Sequence, residues 1–418
     1  MNLRTLMALG YNRLAERLRL PASPVIGLLA RRRPLRPHPG GAAAVKPPGT
    51  APRGLGRARD AAAPGRTGRY RSPVLALLLA LAVTAPPPGR SQPIREDGRF
   101  RNPDGAEPRG FGDLLKWRLN RTSTPDRAPV PRMEPDLARL ARPPAPGEGA
   151  RLTWLGHSSF LVQLDGVSLL LDPALSEGIG PGGIVGRNVP PGIPVEALPR
   201  VDACLVSHDH YDHLDLPTLQ KVRCQVVAGL GREDLFRKAR LLHVPLGWWQ
   251  STAVGGVTVT FVPAQHFSQR SLSDRGRGLW GGFVVQGGSA TLYHAGDTGY
   301  FAGFAEIGRA FPGIDAAMLP IGAYEPRWFM KGMHVDPDEA LQALQDLGAR
   351  TFVAMHWGTF KQADEALDEP PRRLEAERSR RGIAPERVRV LAIGETLEVR
   401  RPPAERGARA GRQVAAPP

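Results

Sequence analysis

Three histidines and two aspartates lie within six consecutive positions, 208–213, in the segment HDHYDH. The segment closely follows a short apolar run, so it is predicted to lie in a loop at the end of a strand, where ligands can converge outside the sheet. Because alternate residues of an extended segment face the same side, His208 and His210 can bind one metal ion together. Asp212 and His213 lie beyond the bend and can bind a second ion, and imidazole and carboxylate groups both suit zinc. A solvated polar loop would not need this density of metal ligands.

Short apolar runs and helical patterns alternate from residue 151 to residue 400. The apolar runs predict strands at residues 152–155, 160–164, 167–171, 203–206, 224–227, 257–262, 282–285, 290–293, 316–319 and 352–354. Two further runs, 388–391 and 396–399, are interpreted as a hairpin. Helical spacing predicts helices at 232–239, 301–311, 336–347 and 371–381. This order favours an α/β fold in which helices cover two sheets.

Three further candidate ligands stand just beyond other predicted strands, namely His266, Asp297 and His356. With the four ligands of the HDHYDH segment they make a set of seven, enough for two zinc ions that share Asp297 and a bridging hydroxide. Two ions about 4 Å apart can generate hydroxide at neutral pH and hold both oxygens of a phosphodiester during its displacement. Asp172 could orient a metal-binding histidine or simply start a turn before Pro173. His157 could face the metal loop or be a core histidine.

Several longer segments resemble the metallo-β-lactamase superfamily, and within it most of all the N-acyl-phosphatidylethanolamine-hydrolysing phospholipase D family. They are WLGH at 154–157, residues 207–215, AGDTGY at 295–300, PIGAYEPRWFMK at 320–331, HVDP at 334–337 and HWGTF at 356–360. The HDHYDH segment alone marks only the superfamily. The 320–331 segment is more specific to the phospholipase D branch.

The resemblance implies an αββα sandwich with a binuclear zinc site. It assigns His208, His210 and His266 to the first zinc ion, Asp212, His213 and His356 to the second, and Asp297 to both. It also implies that His334 acts at the phosphate beside Asp212 and Asp297, and that Tyr211 lines the substrate site. Tyr324 and Arg327, in the 320–331 segment, are further candidates for substrate contact; Arg327 could pair with a phosphate or only form surface salt bridges. Gly332 and Met333 replace more polar residues of the animal enzymes, which leaves the preference for head group or acyl chain open.

We therefore expect a phospholipase D-type phosphodiesterase that acts on N-acyl-phosphatidylethanolamine-like lipids, works at a membrane surface and could form a homodimer. A sugar-phosphate lactonase or another small-molecule hydrolase is an alternative, since a fold does not fix a substrate. A nucleic-acid-processing protein is a third. The first 150 residues carry 27 Lys and Arg against 11 Asp and Glu, a net charge of +16 that equals that of the whole chain. The remainder is thus neutral, so we expect no nucleic acid at the site.

The segments outside residues 151–400 are predicted to be less regular. Residues 1–72, rich in Arg, Pro, Gly and Ala, and residues 401–418 are expected to be disordered. A signal-like or anchoring apolar run occupies 73–94, which favours a membrane-associated or exported, periplasmic location over a cytoplasmic one. Residues 95–150 are expected to pack on the core. Within them Phe111, Leu114, Leu115 and Leu119 recur at helical spacing, as in a core-packing or an interfacial helix.

The chain has two cysteines, Cys204 and Cys224, and both stand in apolar runs. Their number and spacing imply neither a disulfide framework nor a Cys-x-x-Cys zinc site. We expect both to be buried as small apolar side chains.

Overall fold

The computed structural model describes residues 83–122 and 124–401. The predictions for residues 1–72, for residues 73–82 of the apolar run at 73–94 and for residues 402–418 lie outside the described residues. Residues 83–101 already contact the domain that follows. The Thr84 N–H donates to the Ser251 carbonyl at 3.1 Å, and the Ser91 hydroxyl donates to Glu306 at 2.7 Å.

The first sheet has seven strands in the spatial order β10-β9-β8-β5-β4-β3-β18. Its strands are β3 (Ala150–Gly156), β4 (Ser159–Leu164), β5 (Val167–Leu171), β8 (Ala203–Val206), β9 (Gln225–Gly229), β10 (His243–Leu246) and β18 (Thr396–Val399). Strands β18, β3, β4 and β5 are antiparallel, whereas β5, β8, β9 and β10 run parallel.

The second sheet also has seven strands, in the order β11-β12-β13-β14-β15-β16-β17. They are β11 (Ser251–Val254), β12 (Val257–Val262), β13 (Gly282–Gln286), β14 (Thr291–His294), β15 (Ala316–Pro320), β16 (Thr351–Met355) and β17 (Val388–Arg389). The first four are antiparallel, and β14 to β17 are parallel. Two small hairpins complete the strands, β1 (Ile94–Glu96) with β2 (Arg99–Arg101) and β6 (Gly178–Ile179) with β7 (Val185–Gly186).

The helices described are α1 (Phe111–Leu119), α2 (Leu137–Leu140), α3 (Leu216–Val222), α4 (Glu233–Lys238), α5 (Gly303–Ala310), α6 (Arg327–Met330), α7 (Pro337–Asp346) and α8 (Glu369–Arg380). Helix α7 begins where the sequence indicates a start. The Asp336 carboxylate accepts a hydrogen bond from the Glu339 N–H, and the Glu339 carboxylate accepts one from the Asp336 N–H. Pro337, in the first turn, has no N–H that would need a partner. Four predicted helices, α4, α5, α7 and α8, are present within one or two residues of their expected bounds.

One apolar core lies between the two sheets and joins residues of both, such as Leu152 and Phe160 from the first sheet and Phe283 and Leu292 from the second. A second core lies on the other face of the first sheet, where alternate residues such as Leu161 and Leu170 meet the side chains of α3 and α4. Helices on the outer faces and two sheets between them confirm the predicted αββα sandwich.

The predicted hairpin at the carboxyl end is wrong. Strand β17 pairs in parallel with β16 in the second sheet, while β18 pairs antiparallel with β3 in the first. The two strands are neighbours in sequence, but each fills a free edge of a different sheet. Hydrogen bonding along those edges satisfies more backbone groups than a two-stranded hairpin could.

The two cysteines are buried as predicted, but they form a disulfide, contrary to the expectation of separate apolar side chains. Cys204 lies in β8 and Cys224 directly precedes β9, the neighbouring strand, so their Cα atoms are 5.7 Å apart. That distance lies within the usual range for a disulfide.

Candidate metal centre

The ligand candidates lie where strands of the two sheets end. The HDHYDH segment follows β8, Asp297 follows β14 and His356 directly follows β16. Because these strands are parallel to their neighbours within each sheet, their carboxyl ends meet at one edge, where α/β proteins place their sites. His266 arrives at the same edge from β12.

One group of ring nitrogens consists of His208, His210 and His266. The Nε2 atoms of His208 and His266 lie 2.9 and 3.2 Å from the His210 Nδ1. All three ligand atoms lie within 4.8 Å of one another, close enough for one ion to contact each. This is the set that the resemblance assigns to the first zinc ion.

A second group consists of Asp212, His213 and His356, joined by His157. The Asp212 Oδ2 lies 3.5 Å from the His213 Nε2, 3.6 Å from the His356 Nε2 and 2.9 Å from the His157 Nε2. His157 was interpreted either as facing the metal loop or as a core histidine. It is buried and its ring contacts Asp212 of this group directly.

Asp297 lies between the two groups. Its Oδ2 is 3.0 Å from the His356 Nε2 and 3.3 Å from the His213 Nε2, and it is 4.0 Å from the His208 Nε2 on the other side. A single carboxylate in this position can contact ions in both groups. The geometry therefore fits the bridging role expected of Asp297.

The hydrogen bonds of the imidazoles show that these residues fit metal ions. Nδ1 of His213 lies 2.7 Å from Asp172, Nδ1 of His208 lies 3.0 Å from the Ser207 hydroxyl, and Nδ1 of His266 lies 2.9 Å from the Met333 carbonyl. Each ring is thus held by one nitrogen while the other points to the cluster, the arrangement typical of metal-binding histidines. Within the described residues, the buried His213 Nε2 and Asp297 Oδ1 have no hydrogen-bond partner, and ligation of an ion would satisfy both.

The electrostatics of the cluster suit cations. Burial lowers the pKa of His208 and of His266 well below 6.5, so both rings are neutral and have a free lone pair. Burial also opposes ionisation of Asp297, but the neighbouring His213 and His356 hold the pKa of its carboxyl well below 3.8. Burial opposes protonation of His213 and His356 as well, but Asp297 and Asp212 raise the pKa of His213 above 6.5 and that of His356 to about 9. Because zinc binds neutral imidazoles and ionised carboxylates, an ion at this group would displace a proton from each of these two rings.

A cavity of about 610 Å³ opens beside the cluster. Polar residues form its floor, namely His210, Asp212, Asp297, His334, His356 and Gln362. Apolar residues form its walls, among them Phe111, Leu114, Trp117, Phe267, Leu272, Phe329, Met330 and Met333. The cavity therefore joins the ligand cluster to a largely apolar groove that reaches the surface.

His334, which was expected to act at the phosphate, lies on the floor of this cavity. Its Nδ1 is 3.9 Å from the Asp297 Oδ2, and burial lowers its pKa to about 4. The atom is buried and has no hydrogen-bond partner in the described part of the chain. A neutral ring with an unused nitrogen can donate to, or accept from, a bound substrate.

Three residues expected to contact the substrate are not among those that line the cavity. The Arg327 guanidinium donates to the His334 carbonyl at 2.9 Å and to Glu339 at 2.7 Å. Tyr324 is fully buried and its hydroxyl donates to Glu369 at 2.7 Å. Tyr211 donates to the Arg270 carbonyl at 3.1 Å. Their polar atoms are already used inside the protein, so the geometry gives no support for direct substrate contact.

The sequence reasoning missed Gln362. Its amide donates to the Asp212 Oδ2 at 2.8 Å from the cavity floor, beside the bond from His157 to the same oxygen. The residue follows the HWGTF segment, but nothing in its local pattern distinguishes it from a surface glutamine. Only the fold of residues 356–366 back over the cluster places it there.

Comparisons with known proteins agree with this geometry. Residues 168–357 match the family described as the beta-lactamase superfamily domain. The chain is 34% identical over 297 residues to the N-acyl-phosphatidylethanolamine-hydrolyzing phospholipase D 1 of Caenorhabditis elegans, which covers 65% of this chain and 83% of that protein. It is 34% identical over 256 residues to a metal-dependent hydrolase of Opitutus terrae, with coverage of 60% and 100%.

The solved structure of a possible metal-dependent hydrolase from Veillonella parvula shares the fold, with a TM-score of 0.51 and 16% identity over 60% of this chain and 100% of that one. Fold, ligand cluster and relatives agree that the protein is a metal-dependent hydrolase. The chain belongs to the metallo-β-lactamase superfamily, and its homologues include N-acyl-phosphatidylethanolamine-hydrolysing phospholipase D.

Proposed function

We propose that the protein is a zinc-dependent phosphodiesterase that hydrolyses N-acyl-phosphatidylethanolamine-like glycerophospholipids and releases phosphatidic acid and the head-group alcohol. The observation that carries the proposal is the cavity, because a ligand cluster for two cations forms its floor and apolar side chains form its walls. A phosphodiester at the floor would leave its acyl chains along the walls. The similarity to the Caenorhabditis elegans enzyme supports the same substrate class.

The residues that would hold two zinc ions are His208, His210, Asp212, His213, His266, Asp297 and His356. Two such ions lower the pKa of a bound water and neutralise charge on the phosphate. The protein's own contribution is to fix the ligands and to exclude bulk water. Asp172 holds the ring of His213, and Gln362 and His157 hold the carboxylate of Asp212.

His334 is placed to contact the phosphate. The Arg327 guanidinium donates to its carbonyl, and its own N–H donates to the Met330 carbonyl at 2.9 Å, so its backbone is fixed from both sides. Because burial keeps the ring neutral near pH 7, one ring nitrogen can donate to a phosphate oxygen while the other accepts. We propose His334 as a substrate-contacting residue rather than a metal ligand.

The surface around the cavity mouth fits a lipid bilayer. On α1 the side chains of Phe111, Leu115 and Leu119 point to solvent, with exposures of 70, 43 and 67%, while Trp117 packs inward. Leu272, on the opposite wall, is 93% exposed. Apolar side chains flanked by basic ones are typical of helices that lie in a membrane interface. One face of α1 packs on the core, and its exposed apolar face supports the proposal of contact with a membrane interface.

Basic residues accompany this surface. Lys116 and Arg118 lie in α1, and the Lys116 ammonium is 5.1 Å from the Trp328 ring. Such side chains attract anionic lipid head groups by about 1 kcal/mol each near the membrane. Within the described residues, no helix is both long and apolar enough to cross a membrane. We therefore propose peripheral attachment at the cavity mouth, with the bilayer as the partner.

The test is incubation of the zinc-loaded protein with vesicles of mixed phospholipids, followed by mass spectrometry of the products. Phosphatidic acid and an N-acylethanolamine should form together, and Asp297→Asn should abolish both. Turnover of lactones or nucleotides without any lipid product would refute the proposal.

Attachment is tested with Leu119→Asp against the matched control Leu242→Asp, because both leucines are exposed and neither lines the cavity, but only Leu119 lies on α1. Only Leu119→Asp should weaken sedimentation with anionic vesicles. Hydrolysis of a detergent-dispersed substrate should persist in both variants. Equal vesicle binding by the two variants would contradict attachment at the mouth.

A further inference from the structure

The loop that follows His266, residues 267–277, lines the cavity on one side and contacts the metal-binding segment on the other. Phe267, Gln269, Leu272 and Arg275 line the cavity on one side. On the other side the loop contacts the segment 209–214. This segment carries three of the candidate metal ligands, and a fourth, His208, lies just before it. The loop thus stands between the substrate wall and the metal centre.

Arg270 makes the contacts to the metal-binding segment. Its Nη1 donates to the Asp209 carbonyl at 2.7 Å and to the Leu214 carbonyl at 2.9 Å, so one guanidinium joins both ends of that segment. The guanidinium carbon lies 3.9 Å from the centre of the Tyr211 ring, and the Tyr211 hydroxyl donates back to the Arg270 carbonyl. The segment is therefore held at its start, its middle and its end by a single residue.

A second link runs beside the first. The Asp274 carboxylate accepts the backbone N–H of Arg270 at 3.0 Å and of Ser271 at 2.7 Å, which fixes the turn of the loop. Asp274 also accepts from Arg232 at 3.1 Å, and the same Arg232 guanidinium pairs with the Asp209 carboxylate. Displacement of the loop would consequently pull on the metal-binding segment at two places.

The contacts of Arg270 require a planar guanidinium. It must donate in its own plane to two carbonyls while its face stacks on Tyr211, and an ammonium group cannot do both. The side chain is half-buried, and no carboxylate pairs with it directly within the described residues. A half-buried charge that is satisfied by backbone carbonyls and a ring is costly if those partners move away, so it favours their present position.

We infer that Arg270 is a positioning residue that holds the segment 209–214 in its metal-binding conformation and connects it to the substrate wall. The connection to substrate rests on the proposed function, whereas the effect on metal binding does not. Loss of a residue that orients metal ligands from behind typically costs 10- to 100-fold in metal affinity or activity. We expect a loss of about that size when Arg270 is replaced.

The experiment compares Arg270→Met and Arg270→Lys with Arg277→Met, a matched control on the same loop whose side chain is exposed. Zinc affinity is measured by competition with a chelator, and ligand geometry by the absorption spectrum of the cobalt-substituted protein. Arg270→Met should lose about 10- to 100-fold in zinc affinity and alter the cobalt spectrum. Arg270→Lys should resemble it, and Arg277→Met should match the parent protein.

A further variant, Tyr211→Leu, removes the stacking ring but leaves the hydrogen bonds from Arg270 to the Asp209 and Leu214 carbonyls. It keeps the proposal testable if Arg270→Met fails to fold. It should lower zinc affinity less than Arg270→Met and shift the cobalt spectrum in the same direction. Parent-like zinc affinity and cobalt spectrum in a folded Arg270 variant would overturn the inference. If neither Arg270 variant folds, a parent-like Tyr211→Leu would overturn it. None of these measurements uses a lipid, so they stand even if the proposed substrate is wrong.

Discussion

Replacement of Asp172 by Asn tests how the fold controls the metal centre, because it exchanges one carboxylate oxygen of a fully buried side chain for an NH₂ group without changing its shape. The Asp172 Oδ2 lies 2.7 Å from the His213 Nδ1 and accepts the Ser207 hydroxyl at 2.6 Å. The Oδ1 accepts the Ser207 backbone N–H at 2.7 Å. A carboxylate can accept all three bonds, whereas an amide must present its NH₂ group to one side.

Either orientation of the asparagine has a cost. If the NH₂ group faces the Ser207 N–H, two donors oppose each other in a buried place, at about 1–3 kcal/mol. If it faces His213, the ring must accept on Nδ1 and carry its proton on Nε2, the nitrogen needed for the metal. We expect the second outcome to lower zinc affinity by 10- to 100-fold, which corresponds to about 1.4–2.8 kcal/mol.

The assay measures zinc affinity by chelator competition and stability by denaturant unfolding of the metal-free protein. Asp315→Asn serves as the control, because Asp315 is equally buried and accepts the Thr291 N–H at 2.8 Å, but lies outside the cluster. The control should lose stability without losing zinc affinity. The reasoning is refuted if Asp172→Asn binds zinc as the parent protein does and is equally stable.

Three further predictions concern two residues of the metal centre and its cavity and one histidine outside them. Asp297→Asn removes the charge between the two ligand groups, so the amount of bound zinc should fall and turnover should drop by several orders of magnitude. Near-normal turnover of this variant would exclude the bridging role. His334→Ala should retain zinc, measured by elemental analysis, and lose most hydrolysis, whereas joint loss of zinc would make it a ligand. Burial beside the Phe236 ring lowers the pKa of His243 from 6.5 to about 4. As the pH drops between these values, the unfolded chain binds a proton at His243 before the folded protein does. The free energy of unfolding should therefore fall over this pH range. Urea unfolding of His243→Leu should lack that part of the decline, and an identical pH profile would contradict it.

Local sequence patterns predicted most strands of the two sheets and several helices. Apolar runs of three to six residues mark these strands, and the Asp336 to Glu339 spacing marks the start of α7, whereas β10, β11 and α3 were not predicted. The HDHYDH segment specifies metal chemistry because its ligands are neighbours along the chain. These properties depend on interactions within one turn or one strand, so they can be predicted without the tertiary structure.

Contacts between distant residues were decided only by the fold. The two strands at the carboxyl end separate into different sheets because of free edges far away in sequence, and Cys204 meets Cys224 because β8 and β9 are neighbours. Arg327 was expected at the phosphate, yet the position of Glu339 turns its guanidinium inward. Gln362 reaches Asp212 across 150 residues of chain. The sequence determined which chemical groups the protein contains, but which of them face the cavity depends on packing between segments that share no local pattern.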